Sequence, residues 1–129
     1  MQTLPTENFQ PGERLRRWHW NGHGCSGDLS KVDPLLNAML AGVTDSGANV
    51  RKHTVEEFLP HGATLVLILA ESHFVVSTWP EFRYTSVDIA LCNDAIDIEK
   101  LSGPLLRLLD ASSEDFDMRE TLMRGGWVV

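Results

Sequence analysis

The chain has 129 residues, of which 43% are hydrophobic and 22% are charged, a composition typical of one soluble globular domain over residues 1–129. A net charge of −7 argues against a nucleic-acid partner, because such proteins contact phosphates through clustered basic side chains. The longest apolar run, Ala63 to Ala70, is much shorter than the roughly 20 residues of a membrane-spanning helix. The first residues show no signal-peptide pattern. We therefore expect a cytoplasmic protein that neither binds nucleic acid nor enters a membrane.

The first part of the chain predicts a strand followed by a helix. Met1 to Gly12 has no periodic apolar pattern and is expected to be an arm. Polar and apolar residues alternate from Arg14 to Asn21, which favours a strand with its arginines on a solvated end. After a glycine-rich loop, a helix capped by Asp28 or Ser30 is predicted to run to the turn at Asp45–Gly47. Its apolar residues fall at helical spacing: Leu29, Val32, Leu35, Leu36, Met39 and Leu40.

Four consecutive strands are predicted in the middle of the chain. They cover Asn49–Phe58, Ala63–Leu69, Phe74–Trp79 and Tyr84–Cys92, with a bend at Trp79–Arg83 between the last two. In the second strand the apolar residues are successive, so both of its faces need to be covered by other protein. A chain this short has few elements to provide that cover, which favours a partner subunit.

The end of the chain predicts a second helix and a last strand. The helix is expected from about Asp97 to Leu109, with Gly103-Pro104 breaking its first turn, and the strand from Glu114 to Met123. The resulting order of elements predicts an α+β fold. It is a two-layer sandwich in which helices cover one face of an antiparallel-rich sheet.

A short motif, Ala70-Glu71-Ser72-His73, follows the most apolar strand. A serine directly after a glutamate at the mouth of a buried strand is a place where a strained backbone can cleave itself. The pattern Glu-Ser-His, four residues and then Thr-Trp-Pro-Glu resembles the processing site of the prokaryotic S-adenosylmethionine decarboxylase proenzymes, and the close match covers residues 53–93. The fold of that family agrees with the predicted one. Its protomers pair sheet to sheet, so the resemblance implies a homodimer.

The resemblance implies a chemical role for Ser72. Its hydroxyl attacks the Glu71 carbonyl and replaces the amide by an ester. Loss of the Ser72 Cα proton then expels the Glu71 carboxylate, and the dehydroalanine left behind hydrolyses to a pyruvoyl group and ammonia. The products are chains 1–71 and 72–129. The pyruvoyl carbonyl, the only cofactor expected, forms a Schiff base with a substrate amine and accepts the electrons released with CO₂.

Further site residues are carried over from the same family pattern. Phe58 falls where an aromatic ring stacks on adenine, and Trp79 and Glu81 belong to the Trp-Pro-Glu motif, whose acid contacts the ribose. Thr64 falls at a serine that supports the processing intermediate, and Cys92 at a cysteine that returns a proton after decarboxylation. Four of these residues have an ordinary structural alternative: Phe58 as a core ring, Glu81 as a partly exposed acid at a bend, Thr64 as a β-branched strand residue and Cys92 as a small buried hydrophobe.

Ser77 is the main departure from the family pattern. It falls five residues after Ser72, where the family has a histidine that acts as the base in processing. A serine hydroxyl is a poor base, so either another group takes the proton or the precursor cleaves slowly or not at all. His73, His61 and His53 are the candidates for that group, and each also has an interpretation as a surface or turn histidine.

The cysteines and the remaining histidines give weaker signals. Cys25 and Cys92 could form a disulfide by count alone, but the expected cytosolic setting favours free thiols, and neither lies in a CxxC pair. His19, His23 and Cys25 have a spacing compatible with a metal, but no fourth ligand is evident and we expect no metal site. The strand that contains these histidines is also less aliphatic than the first strand usual in the family.

These patterns together predict a self-processing, pyruvoyl-dependent decarboxylase of polyamine biosynthesis with an amino-acid-type substrate. Phe58, Trp79 and Glu81 favour S-adenosylmethionine. Ser77 and the unusual first strand favour a diverged member that acts on ornithine or arginine, since the same scaffold supports both. A further alternative is a non-processing, non-catalytic homologue that acts as a partner subunit.

Overall fold

The computed structural model describes residues 14–70 and 72–123. The expected arm at residues 1–12 lies outside the described residues. The elements follow in this order: β1 (Arg14–His23), α1 (Val32–Ser46), β2 (Val50–Glu57), β3 (Ala63–Leu69), β4 (Ser72–Trp79), β5 (Tyr84–Leu91), α2 (Ile98–Leu109) and β6 (Ser113–Leu122). A short 3₁₀ turn, Pro80–Phe82, forms the predicted bend between β4 and β5.

The six described strands form one antiparallel sheet in the order β2-β3-β4-β5-β1-β6. Strands β2 to β5 follow one another as hairpins, whereas β1 lies between β5 and β6. Alternate residues of the strands pack with both helices in one apolar core, which confirms the predicted α+β sandwich with helices on one face of the sheet. The fully buried core side chains include Leu35, Met39, Leu65, Leu67, Phe74, Val76, Leu101, Leu105 and Leu109.

The start of α1 differs from the prediction. The helix begins after Lys31, which makes no side-chain cap. Asp28 instead accepts hydrogen bonds from the backbone N–H of Ser30 at 2.9 Å and from its hydroxyl at 2.5 Å. The prediction that Asp28 or Ser30 caps the helix is therefore wrong, because a local turn of the preceding loop uses both side chains.

Helix α2 begins as predicted but is not broken by its proline. Asp97 caps it by accepting hydrogen bonds from the N–H groups of Glu99 and Lys100. The helix then continues without a break through Pro104 to Leu109. The predicted break at Gly103-Pro104 is wrong, because leucines before and after the proline are fully buried on one face, and their packing holds the helix together despite the missing N–H.

The two helices cross in very close contact at Gly42. A Cβ atom at this position would lie 1.8 Å from the carbonyl oxygen of Leu101. Only a glycine allows the backbones to come this close, so Gly42 fixes how the helix layer packs on the sheet.

The opposite face of the sheet, called the outer face below, carries no helix within the described residues. Its central part on β3 and β4 is apolar, with Val66 and Val75 half-buried and Ile68 45% exposed. Strand β3 is therefore covered on its helix side but open on the other. Among the described residues, no helix is both long enough and apolar enough to cross a bilayer.

We expect Gly42→Ala to lower the free energy of unfolding by about 1–3 kcal/mol, because the added methyl group forces α1 away from the Leu101 backbone. In an uncrowded helix the same change stabilises by about 1 kcal/mol. The sign of the change in unfolding free energy therefore shows whether position 42 is crowded. Urea unfolding followed by circular dichroism measures it. Asp45→Ala, on an exposed position of the same helix, is the matched control. A gain in stability for Gly42→Ala would contradict the close crossing.

Candidate active site

Ser72 is the first residue of β4 and faces the turn that follows β3. Its Cα pairs with that of Leu69, and its hydroxyl donates a 3.3 Å hydrogen bond to the carbonyl oxygen of Ala70. The side chain is half-buried. Glu71, on the other side of the expected cleavage point, lies outside the described residues.

Cys92 lies at the same end of the sheet as Ser72. It directly follows β5, which runs antiparallel to β4 with Ala90 opposite His73. The thiol is 6% exposed. We call this edge of the sheet, with Ser72 and Cys92, the Ser72 end.

Two arginines of β1 hold the loop that follows Cys92. Arg14 donates to the Asp94 carboxylate at 2.8 Å, and Arg16 lies 3.5 Å from the same oxygen and donates to the carbonyl of Asn93 at 3.3 Å. The Asp94 carboxylate raises the pKa of Arg14, so this arginine stays charged. Arg14 and Arg16 are thus largely buried in ion pairs, and the prediction that they form a solvated strand end is wrong for both.

Thr64 and Ser77 form a hydroxyl pair on the outer face near the other end of β4. They are Cα partners on β3 and β4, and their oxygens are 2.9 Å apart. Both side chains are half-buried. One hydroxyl donates to the other, and among the described hydrogen bonds neither contacts an imidazole.

Phe58, Trp79 and Glu81 lie at the same end of the sheet as this pair. Phe58 follows β2, with its N–H bonded to the carbonyl of Gly62 at 2.8 Å, and its ring is 50% exposed. Trp79 ends β4 with 40% exposure, and Glu81 lies in the exposed 3₁₀ turn. We call the group Phe58, Thr64, Ser77, Trp79 and Glu81 the Trp79 end.

The two ends are far apart within one chain. Ser72 and Trp79 are the first and last residues of β4, and an eight-residue strand spans about 23 Å between its first and last Cα atoms. The structure therefore divides the sequence-predicted site residues into two groups rather than bringing them together. The candidate bases are also dispersed: His73 is exposed beside Ser72, His53 is exposed on the edge strand β2, and His61 is exposed in the loop at the Trp79 end.

A row of aromatic rings at the Trp79 end was not predicted from the sequence. Tyr84 of β5 lies beside Trp79, with ring centroids 5.3 Å apart, and His23 of β1 stacks on Tyr84 at 5.2 Å. The alternation of His19, Asn21 and His23 places all three on the outer face. That signal was present in the sequence, but nothing local showed that β1 would lie beside β5.

The outer-face histidines are engaged with carboxylates. His19 Nδ1 lies 2.6 Å from Asp88 Oδ1, and this hydrogen bond raises the pKa of His19 while burial opposes the rise. His23 lies 3.7 Å from Asp115. Within the described ranges no three His, Cys, Asp or Glu side chains are grouped as a metal site would require. Cys25 is buried as well, and its burial raises the pKa of its thiol, which favours the neutral form.

Comparisons with known proteins agree on one family. The family described as S-adenosylmethionine decarboxylase matches residues 16–121. The S-adenosylmethionine decarboxylase proenzyme of Carboxydothermus hydrogenoformans is 34% identical over 76 residues, which are 58% of this chain and 60% of that protein. The proenzyme of Acidithiobacillus ferrooxidans is 38% identical over 76 residues, covering 58% of this chain and 57% of that protein. The matched part thus spans about three-fifths of these relatives.

A solved structure supports the fold independently. The crystal structure of the adenosylmethionine decarboxylase from Aquifex aeolicus superposes with a TM-score of 0.72 and 23% identity, over 81% of this chain and 87% of that one. At this level of identity the likeness shows the fold alone. The resemblance seen around Ser72 is confirmed by the match over residues 16–121, and the chain belongs to the S-adenosylmethionine decarboxylase family.

Proposed function

We propose that the chain cleaves itself between Glu71 and Ser72 and then decarboxylates S-adenosylmethionine for polyamine synthesis. The observation that carries this proposal is the arrangement of the retained family residues. Ser72 and Cys92 lie together at one end of adjacent strands, and Phe58, Trp79 and Glu81 lie together at the other. In this proposal the single domain of residues 1–129 matures into two chains, 1–71 and 72–129.

Cleavage requires the Ser72 hydroxyl to attack the backbone on its N-terminal side. The oxygen bonds to the Glu71 carbonyl carbon, the peptide C–N bond breaks, and the proton passes to the freed nitrogen. The hydroxyl already hydrogen-bonds the Ala70 carbonyl, so it is held toward this side of the chain. Removal of the Ser72 Cα proton then expels the Glu71 carboxylate, and water replaces the nitrogen to give the pyruvoyl group and ammonia.

The residues at the Ser72 end fit such a group. When present, it supplies a carbonyl that binds the substrate amine and takes up the electron pair left by CO₂. Cys92 is a buried thiol at the same end, and we assign to it the return of a proton to the substrate carbon. Arg14 and Arg16 hold the loop after Cys92 through Asp94, which fixes where the thiol lies.

A complete site requires two chains. Because about 23 Å separates Ser72 from Trp79 along β4, one protomer supplies only half of the residues around a substrate. A two-fold axis between two outer faces would place the Ser72 end of one protomer over the Trp79 end of its partner, and would form two identical sites. The half-open apolar patch of Val66, Ile68 and Val75 gives this contact a hydrophobic centre.

The exposed groups at the Trp79 end support S-adenosylmethionine over ornithine or arginine. Phe58 and Trp79 present two half-exposed aromatic faces, which suit a purine ring. Glu81 at the same end provides a carboxylate that accepts hydrogen bonds from ribose hydroxyls. Ornithine and arginine carry neither group.

A second candidate is a non-processing homologue that acts as a partner subunit. The Thr64–Ser77 pair supports it. The two hydroxyls are hydrogen-bonded to each other, and a hydroxyl is too poor a base to accept the Ser72 Cα proton.

We expect the purified protein to separate into fragments 1–71 and 72–129 and to release CO₂ from S-adenosylmethionine but not from ornithine or arginine. Intact-mass spectrometry and labelled-CO₂ release measure the two steps. Ser72→Ala should stay whole, whereas Ser86→Ala, a serine of β5 on the outer face, should cleave normally. A wild-type chain that stays whole after prolonged incubation would establish the non-processing candidate instead.

We expect Ser77→His to speed maturation by about 10²–10⁴-fold if the wild type matures slowly, because it places a base where only a hydroxyl stands. The rate is followed by gel after expression at low temperature. Hydroxylamine, which cleaves esters, should cut the immature wild type at Glu71. Ser86→His is the matched control, since Ser86 is the β5 partner of Ser77 on the same face. Equal rates for Ser77→His and Ser86→His would show that the missing base is not at position 77.

We expect co-expressed Ser72→Ala and Glu81→Ala chains to regain activity that neither has alone. With random pairing, half of the dimers are mixed and each holds one intact site, so about a quarter of wild-type activity should return. The labelled-CO₂ assay measures it on the unseparated mixture, and tag-separated mixed dimers, which hold one intact site of two, should reach about half of wild-type activity. No activity in the mixed dimer would show that both residues act within one chain.

A further inference from the structure

Polar side chains of β1, β5 and β6 form a continuous row of hydrogen bonds on the outer face. It begins at Asp88, which bonds His19 Nδ1 at 2.6 Å, and continues from His19 Nε2 to Asn21 Oδ1 at 3.1 Å. Asn21 Oδ1 also accepts the hydroxyl of Tyr84, and Asn21 Nδ2 donates to Asp115 at 2.9 Å. By its spacing in the sequence His19 was no more than a weak metal candidate, and the proposed chemistry does not use it.

The protonated form of His19 completes this row. Both of its ring nitrogens face oxygen acceptors, a carboxylate and an amide oxygen. A neutral imidazole carries one N–H and can donate to only one of them, whereas an imidazolium donates to both. The charged ring therefore fixes Asn21, whose amide has no alternative orientation because its other end donates to Asp115.

Tyr84 links the row to the Trp79 end. Its hydroxyl is held by Asn21, and its ring lies between His23 and Trp79 with centroid distances of 5.2 and 5.3 Å. Trp79 is 40% exposed, and the Tyr84 ring is in direct contact with its indole. The position of the tyrosine ring thus sets the face that Trp79 presents.

We propose that protonated His19 is a positioning residue for the substrate-binding half of the site, acting through Asn21 on Tyr84 and Trp79. The inference rests on the proposed function only for the identity of what Trp79 binds. It predicts that substrate affinity depends on the charge of a side chain that never touches the substrate.

The direction of the pH effect follows from the charges around His19. Carboxylates face it from β5 (Asp88) and from β6 (Asp115 and Asp117), and Arg17, Arg119 and His73 line the same groove. The hydrogen bond with Asp88 raises the pKa of His19 above its ordinary value. The contribution of this row of hydrogen bonds to substrate affinity is therefore fully present below the ordinary histidine pKa. It is lost as the pH rises through the raised pKa of His19.

The test compares KM and kcat for S-adenosylmethionine across pH in the matured dimer. In the wild type, KM should rise as His19 loses its proton, while the extent of self-cleavage stays unchanged. His19→Ala should raise KM about two- to tenfold at low pH and remove its pH dependence, because one hydrogen bond is lost. His19→Gln, which keeps an N–H donor but cannot titrate, should recover part of the affinity with a flat pH profile. Lys100→Ala, which removes an exposed charge on α2 and away from the outer face, is the control and should leave KM unchanged.

Two further measurements separate positioning from mere stability. Tyr84→Phe keeps the ring and removes only the hydroxyl, so it should raise KM by the same factor as His19→Ala, and the double variant should be no worse than either. In the uncleaved Ser72→Ala protein, the indole NMR signal of Trp79 should shift with the midpoint of the His19 titration, and Asn21→Ala should abolish this shift. An indole signal of Trp79 that does not shift with the His19 titration, or additive increases of KM in the double variant, would overturn the inference. A coupled indole signal in a protein that decarboxylates nothing would overturn the proposed function alone.

Discussion

Strand β4 is the element on which the rest of the structure depends. It is hydrogen-bonded along its length to β3 on one side and to β5 on the other. A strand paired on both sides stays extended, so Ser72 and Trp79 lie about 23 Å apart. One chain therefore cannot bring Ser72 and the aromatic rings of the Trp79 end to a single site. In the function that we propose, dimerisation is a requirement of the chemistry and not an addition to it.

The two faces of the sheet carry different groups, apolar on the helix side and mostly polar on the outer side. The helix face is filled by leucines, valines and Phe74, and the close crossing of α1 and α2 at Gly42 fixes how the helices pack on it. The outer face carries hydroxyls, histidines and acids around a small apolar centre. Polar groups of this kind are costly to bury unless each has a partner. Two pairs that the structure shows, Thr64 with Ser77 and His19 with Asp88, give polar groups of this face partners within one chain, which lowers the cost of covering it with the second protomer that we propose.

The fold was predictable from the sequence because most of its signals are local. Period-two alternation located the strands, and the spacing of leucines located both helices. The predictions of helix capping and helix breaking were wrong where another contact outweighed the local preference. Asp28 bonds Ser30 instead of capping α1, and Pro104 is tolerated because the leucines around it are buried. The family motif suggested candidate site residues but not their placement, since register and strand order are properties of the whole sheet. Tyr84 and Asn21 escaped prediction because their contact joins β1 and β5, which are 63 residues apart in the chain.

The position of β1 between β5 and β6 brings the first strand beside the Trp79 end. Its odd-numbered residues His19, Asn21 and His23 reach the outer face near Tyr84 and Trp79. Trp18 and Trp20, by contrast, line the helix side beside α2, where Trp20 donates to Glu114. Substitutions at the odd-numbered positions therefore change the surroundings of Trp79, whereas Arg14 and Arg16 of the same strand hold the loop after Cys92. In the function that we propose, the odd-numbered positions are a physical route by which this scaffold can keep one cofactor chemistry and vary its substrate. Ser77, the main departure from the family pattern, lies at the same end of the sheet as Trp79, so both unusual features of this chain lie next to the group we assign to substrate recognition.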